Sequence, residues 1–269
     1  MVQLPSDGDG RYRIRFADGE SVMVASADIE VLSRHQESAL GTAELPDLFR
    51  HVIYRCVVGS RAFGLNDEHS DVDIRGVFLP PSSLHWSLAG IPESIERQGE
   101  DECYWELERF LVLALKANPN ILECLFTPQV QLATPIAEEL LSLRSCFLSR
   151  FIHKTYNGYV LSQFKKLNKT IEGTGQVKWK HAMHLIRLLI SAIGALQTGE
   201  LVLDVGEHRA RLLAIKNGEV AWAEIDSWRQ RLQVEFDAAI VSSPLPERPD
   251  YRRINTFLID ARRQMVDRR

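Results

Sequence analysis

The sequence predicts an α+β fold: a mixed sheet with flanking helices, followed by a mainly helical C-terminal region. Two observations carry this. β-Branched runs occupy the chain before residue 80, and a helical apolar spacing begins at Leu107 and dominates beyond residue 130.

The elements follow in order. Arg11–Phe16 and Ser21–Ala25 flank Ala17-Asp18-Gly19-Glu20, where Asp-Gly supplies a hairpin turn. His51–Val58 is a β-branched run that ends at Gly59-Ser60, the pattern of a buried strand entering a tight turn. Val72–Leu79 is a second strand, stopped by Pro80-Pro81, and Cys103–Trp105 is a short third one. Leu107, Phe110, Leu111, Ala114 and Leu115 then share one helical face, and Asn118-Pro119-Asn120 stops that helix. Further helices are expected at Pro135–Leu143, Ser149–Asn168, Val177–Thr198, Glu224–Val241 and Tyr251–Asp267. The breaks are Glu172-Gly173-Thr174-Gly175 and Ser242–Pro249, with a strand pair at Arg211–Ile215 and Val220–Trp222 around Asn217-Gly218.

Composition excludes several classes. With 269 residues, 45% apolar and 25% charged, the chain matches ordinary globular proteins rather than disordered or fibrous ones. No apolar run is long enough to span a bilayer, and the first residues lack the apolar core of a secretion signal. Cys56, Cys103, Cys124 and Cys146 lie far apart, mostly in apolar runs, which fits buried reduced thiols in a cytoplasmic protein. No membrane partner is expected, and nothing in the sequence reports oligomeric state.

Charge is distributed unevenly. Residues 1–143 hold 11 Lys/Arg against 23 Asp/Glu, whereas residues 144–187 hold 9 Lys/Arg against Glu172 alone. An acidic half beside a basic segment suits metal cations in the first and a polyanion such as RNA on the second. Solvated lysine-rich helix faces account for the basic segment equally well.

The chemistry concentrates in Val58–Val77. Asp71 and Asp73, one residue apart in an expected strand, would point to the same face. Like charges that close need neutralising, and a pair of Mg²⁺ ions does so, with Mn²⁺ a substitute. Gly59 permits close backbone approach to a phosphate, and the Ser60 hydroxyl adds a donor. Carboxylates for metal beside a phosphate cradle equip a site for phosphoryl or nucleotidyl transfer. Asp-x-Asp alone is common; the combination of apolar strand, Gly-Ser and Asp-apolar-Asp-apolar at this spacing is not.

That combination resembles the DNA polymerase β-like nucleotidyltransferase superfamily. GSRAFGL, SDVDIRGVFLPP, Tyr104–Phe110, Lys116–Phe126 and Lys180–Leu189 narrow the likeness to one branch, the predicted nucleotidyltransferases associated with bacterial RNA-repair operons. The similarity covers about residues 52–200. It implies a polymerase β-like palm, two divalent metals and a nucleoside triphosphate such as ATP. Residues 1–130 would then be the palm domain with its N-terminal hairpin, and 131–269 a helical substrate-binding domain.

The resemblance also implies a third carboxylate that activates the attacking hydroxyl. Asp101 is the choice, since the family carries an acid nine residues before the position of Phe110; Glu102 and Glu106 are its rivals. Glu106 also suits a helix N-terminus. In the expected reaction Asp71, Asp73 and Asp101 bind metal, Gly59 and Ser60 hold phosphates, and pyrophosphate leaves. Arg61 matches phosphate oxygens by its fork, and Arg75 either neutralises the triphosphate or pairs with the aspartates.

Other features carry less. Lys180, His184 and Arg187 form a helix face that either meets the cleft, with Lys180 on a phosphate, or packs between domains. Tyr156, Tyr159 and Phe164 interleave with Lys154, Lys165, Lys166 and Lys169, which suits single-stranded RNA or an amphipathic helix with a core face. Trp222 and Trp228 are expected in the core. Two competing functions stand beside nucleotidyl transfer: a nucleotide-sugar glycosyltransferase, which the Gly59-Ser60 spacing disfavours, and a silent nucleotide-binding module acting as an antitoxin-like partner.

Overall fold

The computed structural model describes residues 2–3, 11–15, 21–25, 47–67, 70–88, 90–97, 99 and 101–266. They divide into two units, one within residues 1–46 and one within 47–269. The first holds a three-stranded antiparallel sheet in which β1 (Val2–Gln3) and β3 (Ser21–Ala25) flank β2 (Arg11–Arg15). Arg11 lies opposite Ala25 and Arg15 opposite Ser21, as the expected hairpin requires. Its turn residues fall outside the described residues.

The second unit is built on a mixed sheet of order β6-β7-β5-β4-β8. β4 (Val52–Val58) runs antiparallel to β5 (Asp73–Phe78) and to β8 (Val130–Ala133). β5 runs parallel to β7 (Glu102–Glu106), whose other side pairs antiparallel with β6 (Ser94–Glu96). The β-branched run of β4 is buried over most of its length because sheet neighbours and helices cover it. A short helix α1 (Ser82–His85) follows Pro80-Pro81.

Helices cover the sheet and continue beyond it. α2 (Leu107–Leu115) buries Leu107, Phe110, Leu111 and Ala114, four members of the apolar stripe. Asn118 ends that stretch but also caps a further helix, α3 (Pro119–Phe126), accepting from the Asn120 and Ile121 amides with Pro119 in the first turn. α4 (Pro135–Ser142), α5 (Phe151–Thr174), α6 (Trp179–Thr198), α7 (Arg209–Lys216), α8 (Trp222–Ala239) and α9 (Tyr251–Arg263) follow. One buried cluster runs from Tyr54 and Val77 of the sheet through Phe110 and Leu188 to Phe257. Trp228 is buried in it and Trp222 packs against it, as expected. All four cysteines are free, Cys56 and Cys124 buried and the other two half-buried.

Two expectations are corrected. Arg211–Ile215 belongs to a helix, not a strand pair: Leu212 and Ile215, one turn apart, are both buried, and Asn217-Gly218 ends that helix instead of turning a hairpin. The break at Glu172–Gly175 also acts later than expected. α5 runs through Thr174, and Gly175, at φ +69°, stops it by donating its N–H to the Ile171 carbonyl. Among the described residues, no helix is long and apolar enough to cross a membrane.

Candidate active site

β4 delivers its C-terminus to a 3₁₀ turn, Gly59–Arg61. Val58 pairs with Asp73, so the turn begins against the Asp73 side chain. Gly59 has φ +71°, and a Cβ there would stand 1.9 Å from Oδ2 of Asp73. Only glycine meets both conditions. The turn is fixed by the Ala62 and Phe63 amides donating to the Gly59 carbonyl and the Leu65 amide donating to that of Ser60.

Parallel pairing brings the second carboxylate alongside. Ile74 of β5 registers with Glu102 of β7, so the residues just before them, Asp73 at the start of β5 and Asp101 immediately before β7, lie at the same edge. The Ile74 amide donates to the Asp101 carbonyl at 2.8 Å. Arg75 clamps the same residue, with Nη2 2.6 Å from Oδ1 and Nη1 2.9 Å from the backbone oxygen. Pairing with an aspartate, one of the two roles expected of Arg75, is the contact present. Burial first, then the hydrogen bond and charge of Asp101, raises the Asp73 carboxyl to about 6. The hydrogen bond from Asp73, then Arg75, holds Asp101 below the usual carboxylate range.

Two carboxylates side by side repel, and a cation between them would relieve that repulsion. Asp73 and Asp101 supply hard oxygen donors that suit Mg²⁺ or Mn²⁺. Asp71 lines the same cleft but is exposed and precedes β5, so the argument from strand periodicity does not reach it. Among the described residues no three His, Cys, Asp or Glu side chains are drawn together as a metal-binding group. The donor chemistry fits a divalent cation at the Asp73–Asp101 pair, with Asp71 lining the same cleft.

The rival carboxylates are engaged elsewhere. Glu102 is buried, accepts the Tyr104 hydroxyl and pairs with Arg55 and Arg97. Glu106 caps α2 by accepting from the Glu108 and Arg109 amides and reaches Arg262 of α9 at 3.4 Å. Burial, against the pull of Arg262, raises its pKa. Neither is the neighbour of Asp73.

The glycine turn and the Asp73–Asp101 pair line a cleft of about 1340 Å³ whose walls come from the sheet edge and from α3 and α6. Gly59, Ser60, Asp71, Asp73, Arg75, Asp101 and Lys180 all line it. Lys180 is exposed there, and its charge acts on both Asp73 and Asp101. Arg61 turns elsewhere: Nη2 donates to the Ser70 carbonyl at 3.2 Å and so braces the loop before Asp71. Asp67 of that loop pairs with Lys216 of α7 at 2.8 Å.

Sequence reasoning offered His184 and Arg187 as a face meeting the cleft but missed the partner of Arg187, Glu123. Arg187 of α6 is fully buried and pairs with Glu123 of α3 at 2.6 Å. Its guanidinium lies 3.5 Å from the centre of the Phe63 ring and contacts Nδ1 of His184 at 3.2 Å. Burial, then Arg187, depresses His184 to about 3, so the ring is neutral. A glutamate inside ILECLF and an arginine inside HLIRLLI were the available signals, because a charge in an apolar run demands a buried partner. The basic segment is divided by burial. Lys154, Lys165, Lys166 and Lys169 are exposed, whereas Tyr156 and Phe164 lie in the core and offer no stacking face.

A mixed five-stranded sheet with flanking helices and a helical continuation, carrying carboxylates at its cleft edge, is a polymerase β-like palm with its helical domain. Residues 26–260 match the model of RlaP, the RNA repair pathway DNA polymerase beta family, and the chain belongs to that family. It is thereby grouped with the polymerase β-like nucleotidyltransferases of RNA repair. It is also similar to the uncharacterized protein YcgL of Bacillus subtilis (strain 168), 34% identical over 98 residues, or 35% of this chain. The match spans 38% of the length of that relative.

Proposed function

We propose that this chain transfers a nucleoside monophosphate from a nucleoside triphosphate to a hydroxyl, that of an RNA end, and releases pyrophosphate. One observation carries the reading: two carboxylates, Asp73 at the start of one strand and Asp101 just before its parallel neighbour, stand against a glycine turn in a cleft. Asp71, Asp73 and Asp101 would hold divalent metal, Mg²⁺ or Mn²⁺, which when bound neutralises charge developing on the phosphate oxygens. Asp101, kept ionised by Arg75, is the group to take the proton of the attacking hydroxyl. Gly59 and Ser60 bind the phosphates, Lys180 offsets their charge from the opposite wall, and Arg61 shapes the loop that carries Asp71.

Residues 131–269 serve as the substrate-binding part in this reading. Lys178 and Lys180 line the cleft, and Lys165, Lys166 and Lys169 are exposed on the preceding helix, a run suited to the backbone of an RNA end. Four free thiols suit a reducing cytoplasm.

A second reading rests on the Arg75–Asp101 clamp. If that pair persists with ligand bound, the chain is a silent nucleotide-binding module serving as an antitoxin-like partner. Transfer of label from α-³²P nucleoside triphosphates to total RNA or to the protein, with Mg²⁺ or Mn²⁺, decides between them. Labelled RNA that Asp71→Ala/Asp73→Ala cannot produce establishes transfer. Triphosphate binding without label or pyrophosphate establishes the silent module.

A further inference from the structure

Arg187 presents a polar account that the site described so far leaves open. Its side chain is 1% exposed, and Nη2 is satisfied by Glu123 and His184. Nε and Nη1 have no partner, although both are buried. Leaving buried donors unpaired costs about 1–3 kcal/mol each, so such groups call for a role. The side chain lines the cleft, together with Phe63, Asn120 and His184.

The chemistry of this end is donor-rich. A guanidinium has no acceptor, so its open N–H groups demand acceptors from whatever enters. His184 accepts a hydrogen bond from Arg187 at Nδ1, so the neutral ring carries its hydrogen on Nε2 and becomes a second donor. The charge of Arg187 is balanced by Glu123, which removes the demand for an anion there. An uncharged, planar, acceptor-bearing group is what remains. Among nucleobases, guanine presents O6 and N7 to a guanidinium, and a uracil presents O4 in the same manner. Adenine and cytosine place an amino donor at that position and would meet donor with donor.

We propose that the Arg187–His184–Phe63 end of the cleft is a nucleobase pocket that selects the keto bases, guanine and uracil, over adenine and cytosine. This rests on the nucleotide-transfer reading above and adds to it the class of base. The acidic edge around Asp73 and Asp101 then takes the phosphates, and α6 spans the two, with Lys180 toward one and Arg187 at the other.

Equilibrium binding by titration calorimetry tests this on the full chain with Mg²⁺, using GTP, UTP, ATP, CTP and inorganic tripolyphosphate as separate probes. The wild type should bind GTP and UTP about tenfold tighter than ATP and CTP, the worth of one hydrogen bond to a charged donor. Arg187→Met/Glu123→Gln removes both charges together and leaves neither stranded. It should lose the base preference yet hold tripolyphosphate within about twofold, because that probe reports only the phosphate end. Should that double variant fail to fold, His184→Phe, which removes the second donor, should weaken the preference by itself. Equal affinities in the wild type, or a preference that survives the substitutions, would overturn the pocket while leaving nucleotide transfer standing. Failure of the wild type to bind any triphosphate, tripolyphosphate included, would overturn the nucleotide reading itself.

Discussion

Gly59 and Asp73 occupy one space: a Cβ on the glycine would stand 1.9 Å from the carboxylate oxygen Oδ2. The turn and the carboxylate are therefore a single device, and neither can shift without the other. Gly59→Ala should displace Asp73 and lower transfer activity by about 100-fold, the cost of misplacing a reacting group by an ångström or so. The left-handed conformation adds about 1–3 kcal/mol of destabilisation. Paired measurements of label transfer and urea unfolding check both; wild-type activity in this variant would remove the glycine from the site.

The identity of the third carboxylate is separable by activity against stability. Asp101→Asn should lower the rate by about 100-fold or more, with melting little changed, since the half-exposed amide oxygen can still accept from Arg75. Glu106→Gln should behave in the opposite sense. It weakens the cap on α2 and the tie to Arg262, costing about 1 kcal/mol, while transfer continues. Glu102→Gln should likewise lower stability and spare the rate. A dead Glu102→Gln protein that remains folded would reverse the assignment.

The Asp73 proton has a sign that can be read in stability. Its carboxyl sits at about 6 in the fold against 3.8 when free, so between those values the native state binds a proton that the unfolded chain releases. Stability from this group is present below the lower value and is lost as pH rises through the upper one. Denaturation in chelator from about pH 4 to about pH 7 should show the wild type weakening relative to Asp73→Asn. Added Mg²⁺ should recover part of that loss at the upper end only. A difference that grows in the other direction would contradict the raised Asp73 carboxyl.

The Arg187–Glu123 pair should show the asymmetry of buried charges. Arg187→Met alone strands Glu123 and should cost about 3–5 kcal/mol. Adding Glu123→Gln should return most of it, because an uncharged amide needs far less compensation. A thermal melt of the two variants is sufficient, and equal losses would place the cost in packing instead.

Much of the palm was legible because its strands speak locally. The β-branched runs at 52–58 and 73–78, their Gly-Ser and Pro-Pro ends, and the α2 stripe each declare themselves within a few residues. Asp73 and Gly59 were legible by spacing alone. The company of Asp101 was legible only through the family resemblance. The approach of Asp101 depends on β5 and β7 pairing in parallel, a register set by tertiary contacts and invisible to periodicity. Asp71 was read as part of the strand because one residue either way looks alike in sequence, yet β5 begins two positions later. The stretch at 211–215 misled for a related reason. Short apolar runs beside Asn-Gly suit both a hairpin and a helix end, and only burial of Leu212 with Ile215 decides.

The hold of α9 on the palm has a consequence for how the protein is made. Ser82 bonds to the Arg262 carbonyl across 180 residues of chain, and Arg262 reaches back to Glu106 and Glu108. On a ribosome, the sheet is complete long before this clasp can arrive. The nascent palm must therefore wait with one side uncovered, and loop closure over such a span is slow. Synthesis is the stage at which this protein most needs protection, and a ribosome that stalls before residue 250 would leave behind a sheet without its lock.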